Sequence, residues 1–511
     1  MKRRLAFTLG ILSLLPCVIE AQSQTDAIPF RRSSLYTFIV KTDKDSVRVD
    51  KAVEGSGNVI LDVAGSLAAK KEATAEDSIP KSELILNVFT AIPIPDQFND
   101  HNLPVRVMDF DLIPVTKEEI DEANRETVGE KKTSGFGRFM KATGEASLSA
   151  VSSGTISVDT LPNINTQLPA VLKKFIASEN IPARLVGKWY NYTGEKRPHP
   201  FLSNVDVYYD MSLIQERGLY NASAEDKATV SGAEQGEYIL KDAGKSLIPN
   251  TFVMALYLQY LRTEETLAKA QGVATGVSGV VGGVFGKGAG DLALAGTQVA
   301  GAIAGIAAGS GYSVQATSYL YQLVWDDEKR MQFESYLDKP IEELIASGIC
   351  ELQFVGKDKK SAIIRSSRFS KKPESDLVKR ATARAIDAVI AKLQNEYDVF
   401  KTKAKIAKID EENGWVYAAI GLKEGIEKGD VYAVLEATYD KATEEVSFKK
   451  VGTVKAEGKQ IWDNRYEADE EIAEDLESGE IKEKPTLTAT AFSGRVKNLH
   501  TGMYLQLEKK K

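Results

Sequence analysis

Cysteine and histidine are nearly absent from this sequence, and most metal chemistry goes with them. Two cysteines and three histidines occur in 511 residues. His101, His199 and His500 stand far apart with no cysteine beside them, so a zinc site has no ligand set with recognisable spacing. They read as surface or loop histidines. Basic excess is missing too: 65 Lys and Arg against 72 Asp and Glu leave a formal charge of -7, with bases scattered among acids. That balance excludes a general nucleic-acid binder. Catalytic signatures are lacking as well, with no Gly-x-Ser-x-Gly elbow and no His-Glu-x-x-His helix. Gly286-Lys287-Gly288 fails as a phosphate loop, because Val281 occupies the first glycine position and Gly288 stands where Ser or Thr must reach magnesium. The acidic run 467–480 has no Asp-x-Asp-x-Asp-Gly calcium loop and reads as a solvated helix or loop. The expectation is a non-enzymatic protein with no cofactor and no metal.

What is present begins with an address. Lys2, Arg3 and Arg4 precede the apolar stretch 5–19, and Ala21 ahead of Gln22 supplies a cleavage point, so 1–21 reads as a secretory signal peptide. Leu15-Pro16-Cys17 has proline where a lipobox has a small residue. If Cys17 leaves with the signal, Cys350 is the one remaining cysteine, and no intrachain disulfide forms. Stability must then come from the core, which 43% hydrophobic content permits.

The chain is organised around its middle. Residues 270–286 carry no ionisable side chain, 287–291 (KGAGD) make a polar break, and 292–312 are again uncharged. This pattern predicts a helical hairpin over 266–312. Gly301, Gly305 and Gly309 recur four apart with Gly296, Ala300, Ala304 and Ala308 beside them, so one helix face is nearly bare backbone that another helix can approach closely. Three environments fit such a face: a close-packed helical pair in the core, a partner protein or second copy, and the outer membrane. The second arm has the length of a bilayer span but weak hydrophobicity.

The remainder divides into units. Residues 22–116 read as a β or α+β domain with strands over 34–40, 84–92 and 105–112, and 117–160 as a flexible linker. A central α+β domain, 161–330, starts with an amphipathic helix over 169–177 closed by Ile181-Pro182. Strands over 186–192 and 205–209 then gather Trp189, Tyr190, Tyr192, Tyr208 and Tyr209 into core packing or a glycan platform. Aromatic strands over 251–261 and 314–325 flank the small-residue hairpin. Residues 331–395 follow as a short helix at 340–347, a β-hairpin (350–355 and 361–366) turning at 356–360, and a helix capped by Ser375. Residues 396–511 alternate strand and turn, as in a small β-barrel or sandwich. The fold class is thus α+β multidomain.

The alanine-rich helix (AIDAVIAKL) followed by strands and WVYAAIGLKEGIEKGDVYAVLE resembles a module of periplasmic assembly proteins. The parallels are the flagellar periplasmic protein that stabilises the basal body and the curli secretion-channel lipoprotein family. The likeness covers 375–456 and implies a small C-terminal β-barrel with no chemistry of its own. The whole chain also resembles exported envelope proteins of Bacteroidota. Together these features imply a structural or assembly component, periplasmic or associated with the outer membrane, acting through an envelope partner or self-association. Membrane insertion through 270–312 and glycan binding are the alternatives.

Overall fold

A computed structural model describes residues 33–42, 82–92, 94–95, 97–127, 164–199, 203–210, 247–262, 311–365, 374–440, 445–478 and 487–511. The first strand, β1 (Ser34–Lys41), has seven buried residues in a row. Burial of successive residues means that the strand is covered on both faces, and five of the seven are apolar. The chain continues through α1 (Ser82–Ala91), β2 (Asn99–Asp100), β3 (Val107–Asp109), α2 (Lys117–Thr127), α3 (Ile164–Ser178) and α4 (Ile181–Trp189). Next come β4 (Arg197–Pro198), β5 (Asp206–Val207), β6 (Thr251–Arg262), β7 (Gly311–Val324), α5 (Asp327–Glu334), α6 (Ile341–Ser347), β8 (Glu351–Arg365) and α7 (Glu374–Glu396). The C-terminal part holds β9 (Ala404–Asp410), β10 (Trp415–Ala418), β11 (Val431–Asp440), β12 (Glu445–Ala456), α8 (Ala468–Ser478), β13 (Thr490–Ser493) and β14 (Tyr504–Lys509).

The main sheet runs β2-β1-β6-β7-β8, with β3 also on β1. Strand β1 is parallel to β2, β3 and β6, whereas β6, β7 and β8 are antiparallel. Residues from 22–116, 161–330 and 331–395 therefore all supply strands to one sheet. Alternation divides the side chains between two faces. Leu35, Ile39, Phe252, Met254 and Leu256 pack under α7 with Phe89 of α1. Tyr36, Phe38, Val253, Ala255 and Tyr257 pack against α3, whose Leu168, Leu172 and Phe175 are buried. Each such aromatic or aliphatic side chain contributes roughly 1.5–3 kcal/mol on burial. The six C-terminal strands close into a barrel, β10-β13-β12-β11-β14-β9, around Ile406, Val416, Val434, Val454, Phe492 and Leu505. Closure leaves the barrel no free edge. Of barrel and sandwich, the barrel is correct, and the fold is mixed α and β.

Several local expectations are overturned. Residues 84–92, read as a strand, form α1; a short apolar run fits either state, and packing of Phe89 against the α7 face decides it. Residues 186–192 were expected as a strand, but α4 runs to Trp189. Pro182 opens this second helix rather than merely closing the first, with Asn180 at φ 51 making the corner. Of 205–209 only Asp206–Val207 is strand, paired with β4. Of 105–112 only Val107–Asp109 is strand, followed by a 3-10 turn whose first residues Asp109 caps through Asp111 N. The hairpin expected at 350–366 is one continuous strand, β8. Its Gly356 marks a bulge opposite Leu320 and Tyr321, not a turn, and a Cβ there would overlap the Tyr397 ring.

Candidate functional site

The predicted contact residues, Gly296, Ala300, Gly301, Ala304, Gly305, Ala308 and Gly309, all lie within 263–310, outside the described residues. What is described is the base from which that stretch departs. Strands β6 and β7 pair in unbroken antiparallel register from Phe252↔Gln322 to Arg262↔Tyr312. The chain thus leaves and re-enters the sheet at neighbouring positions. The base is anchored at both ends of β6. At its start the Trp189 indole donates to Thr251 Oγ1 (2.8 Å), and that hydroxyl donates to Leu247 O (3.0 Å). Toward its end Tyr260 Oη and Thr382 Oγ1 of α7 are 3.2 Å apart, while Thr382 Oγ1 donates to Val378 O (2.7 Å). Burial pushes the Tyr260 hydroxyl well above the usual phenol range, with the Thr382 contact opposing it. This hydroxyl is a structural strut.

The aromatic group expected on strands is gathered instead from the end of α4 and the turn around Tyr208. Trp189 is 2% exposed and Tyr209 0%, and with Phe333, Leu323 and Leu344 they form a core cluster. Their ring faces are taken: Tyr190 stacks on Phe333 at 4.5 Å and His101 on Trp189 at 4.3 Å. His101 is therefore no surface histidine. It is 3% exposed, with Nε2 3.1 Å from Leu185 O. Cys350 is half-buried, and burial pushes its thiol up to about 12, with Lys329 working the other way. Such a thiol stays protonated at neutral pH.

No protein-family model and no curated protein matches the chain.

The polar groups of the C-terminal third hold the barrel to the sheet. Arg380 Nε donates to Glu467 Oε2 (2.9 Å), with Nη2 3.6 Å from Glu470 Oε2. Arg384 donates from Nε and Nη2 to Tyr466 O (3.2 and 3.1 Å), and its Nη2 lies 2.6 Å from Glu471 Oε2. Both guanidinium side chains are under a tenth exposed. The acidic run is thus α8, an ion-paired strap across α7 rather than a freely solvated helix. Between barrel and α7 the segment 421–430 is fixed from both sides. The Glu424 carboxylate accepts from Gly421 N (2.6 Å) and Asn464 Nδ2 (2.8 Å). Asp430, 0% exposed, accepts from Glu427 N (2.8 Å), Lys510 Nζ (2.7 Å) and Lys511 N (3.2 Å). Gly425 and Gly429 take positive φ, 69° and 89°, which ordinary side chains resist.

Among the described residues no group of three His, Cys, Asp or Glu side chains is placed to hold a metal. A depression between α7 and the barrel, lined by Gln394, Thr402, Glu424 and Leu505, has a volume of about 30 Å³, room for water and not for an organic ligand. No helix among the described residues is long and apolar enough to cross a membrane. Two features escaped the sequence reading. The pair Arg380 and Arg384 was legible as an i, i+4 basic pair on an amphipathic helix, followed later by an acidic run. The lysines of β8 were hidden by being taken for a turn.

Proposed function

We propose that the chain is a non-enzymatic exported envelope protein, a structural or assembly component that presents residues 263–310 to a partner protein, a second copy or the outer membrane. The observation that supports this reading is the unbroken β6–β7 register. Two long buried strands, locked to α4 and α7, hold the ends of the small-residue stretch side by side. A rigid base under an insertion suits presentation of that insertion, and the stretch carries Gly296, Ala300, Gly301, Ala304, Gly305, Ala308 and Gly309 as its contact face. The signal-peptide pattern at 1–21 supports export. The likeness of 375–456 to the module of periplasmic assembly proteins supports the class of role.

The test is to replace 263–311 by Asn-Gly, a turn that joins Arg262 directly to Tyr312. The reading expects an unchanged circular dichroism spectrum and melting temperature, with loss of the crosslinked partner or of outer-membrane co-fractionation. A shortened chain that fails to fold would instead make the stretch part of the core, and unchanged crosslinking would remove it as the interface. Triple replacement of Gly301, Gly305 and Gly309 by Leu separates the remaining cases. Lost crosslinking marks a close-packed protein contact, while stronger liposome association marks membrane contact.

A further inference from the structure

The main sheet ends in a long strand, β8. Strand β8 pairs with β7 from Glu351 to Arg365, and among the described residues no strand lies on its other edge. The bulge at Gly356 divides it. Before the bulge Leu352 and Phe354 pack on the α3 side, whereas 356–365 pairs with β7 in regular register and its Ala362 packs on the α7 side. An open regular edge is a row of unpaired backbone donors and acceptors. This one carries Lys357, Lys359 and Lys360 with a single acid between them. Lys359 and Lys360 are exposed, and among the described residues no carboxylate pairs with Lys357, whose ammonium lies over the Tyr319 ring at 4.5 Å. Burial, and then the charge of Lys359, lower its proton affinity. The acid, Asp358, faces the α7 side, where its charge acts on Lys392. Among the described residues, the outer edge thus presents more positive than negative charge. Like charges opposite one another oppose pairing with a second copy.

From this we infer that the outer edge of β8, over 356–365, accepts an extended strand from an acidic partner protein. Backbone hydrogen bonds supply the attachment, and carboxylates opposite Lys357, Lys359 and Lys360 set the choice of partner. Because side chains alternate, the carboxylates opposite Lys357 and Lys359 must be two apart on one face, with the third on the other face. This surface is formed by β8 itself, and no residue of 263–310 contributes to it.

The probe is the synthetic peptide Thr-Val-Thr-Glu-Glu-Lys-Glu-Thr, fluorescently labelled and titrated with the full chain at low salt. Its counterpart exchanges Glu and Lys, and a third version is N-methylated at alternate backbone nitrogens. The acidic peptide is expected to bind about tenfold more tightly than the basic one, as three cross-strand charge pairs allow. Charge reversal by Lys359→Glu with Lys360→Glu, both at exposed positions, should invert that order, and N-methylation on the pairing edge should abolish binding. Equal affinity for both peptides, or no saturable binding of either, overturns the proposal and leaves the lysines as guards against aggregation. Undiminished binding of every N-methylated register also overturns it, by reducing the contact to a charge patch. A concentration-dependent dimer that excludes the peptide assigns the edge to a second copy instead.

Discussion

Glu424 shows how one carboxylate is placed against its own preference. The side chain keeps part of its surface, but its carboxylate is turned inward onto Gly421 N and Asn464 Nδ2. Burial raises its proton affinity, and the two hydrogen bonds and Lys423 offset that only in part. The fold therefore disfavours the ionised form. The folded chain takes up this proton at a higher pH than the unfolded chain, so the contribution to stability increases as pH falls from above the folded pKa toward the ordinary carboxyl value of about 4.3. Glu424→Gln keeps an acceptor for Gly421 N and removes the charge. The substituted protein is expected to be the more stable at pH 7.5, with its advantage shrinking as the pH is lowered through this window. Urea midpoints at pH 7.5 and pH 5 measure the two, and a difference independent of pH would contradict the assignment. The glycines of this segment were readable from sequence as strand–turn–strand punctuation. The inward carboxylate was not, because Asn464 lies about forty residues further on and local spacing does not register it.

At the scale of elements, what was legible followed periodicity and what was missed followed contacts between elements. Helix α7 announces itself by Val378, Ala381, Ala385, Val389 and Leu393 on one face, all buried. Strands β1, β6 and β7 announce themselves by β-branched and aromatic content. Helices α1 and α4 did not, since their apolar runs fit strand as well as helix and only packing on the sheet decides. The same holds for the other side of α7. Arg380 and Arg384 sit buried with carboxylates beside them: Glu467, just ahead of α8, and Glu470 and Glu471 in its first turn. Removing one partner of a buried pair strands the other, so Arg384→Met is expected to lower stability by about 3 kcal/mol. Arg384→Lys should recover little of it, because an ammonium cannot reproduce the two bonds that the guanidinium gives to Tyr466 O. Hydrogen exchange should show 463–478 loosened in both variants. If both melt like the parent, the strap is a surface ornament.

For the whole molecule the decisive contact is a strand pairing between segments far apart along the chain. Strand β1 lies parallel to β6 over Ser34↔Thr251 to Val40↔Tyr257, so a segment near the N-terminus fills the middle of a sheet completed much later. Sequence patterns identify strands but carry no record of such pairings, and for that reason the sheet's composition could not be read in advance. The barrel is different: its strands are consecutive, its core of Ile406, Val434 and Phe492 is its own, and closure satisfies its edges. Its links to the rest include the α7–α8 strap, the approach of Gly425 to Ala391, and Phe400, which is buried in the sheet core. Two units of unequal independence follow. A fragment starting at residue 117 lacks β1, β2 and β3, exposing the flank of β6 and the inner faces of Phe252 and Val253. That fragment is expected to lose the cooperative unfolding transition of the sheet while keeping a barrel transition at a somewhat lower temperature. Calorimetry of fragment and full chain checks this. A fragment that melts as the full chain does would mean that β1 merely decorates the sheet, and one with no transition at all would mean that the barrel depends on the sheet for its fold. The expected outcome makes the barrel a self-standing module tethered by charge. The sheet, with β8 at one end and the base of the insertion, is then a platform whose integrity depends on the N-terminal strand.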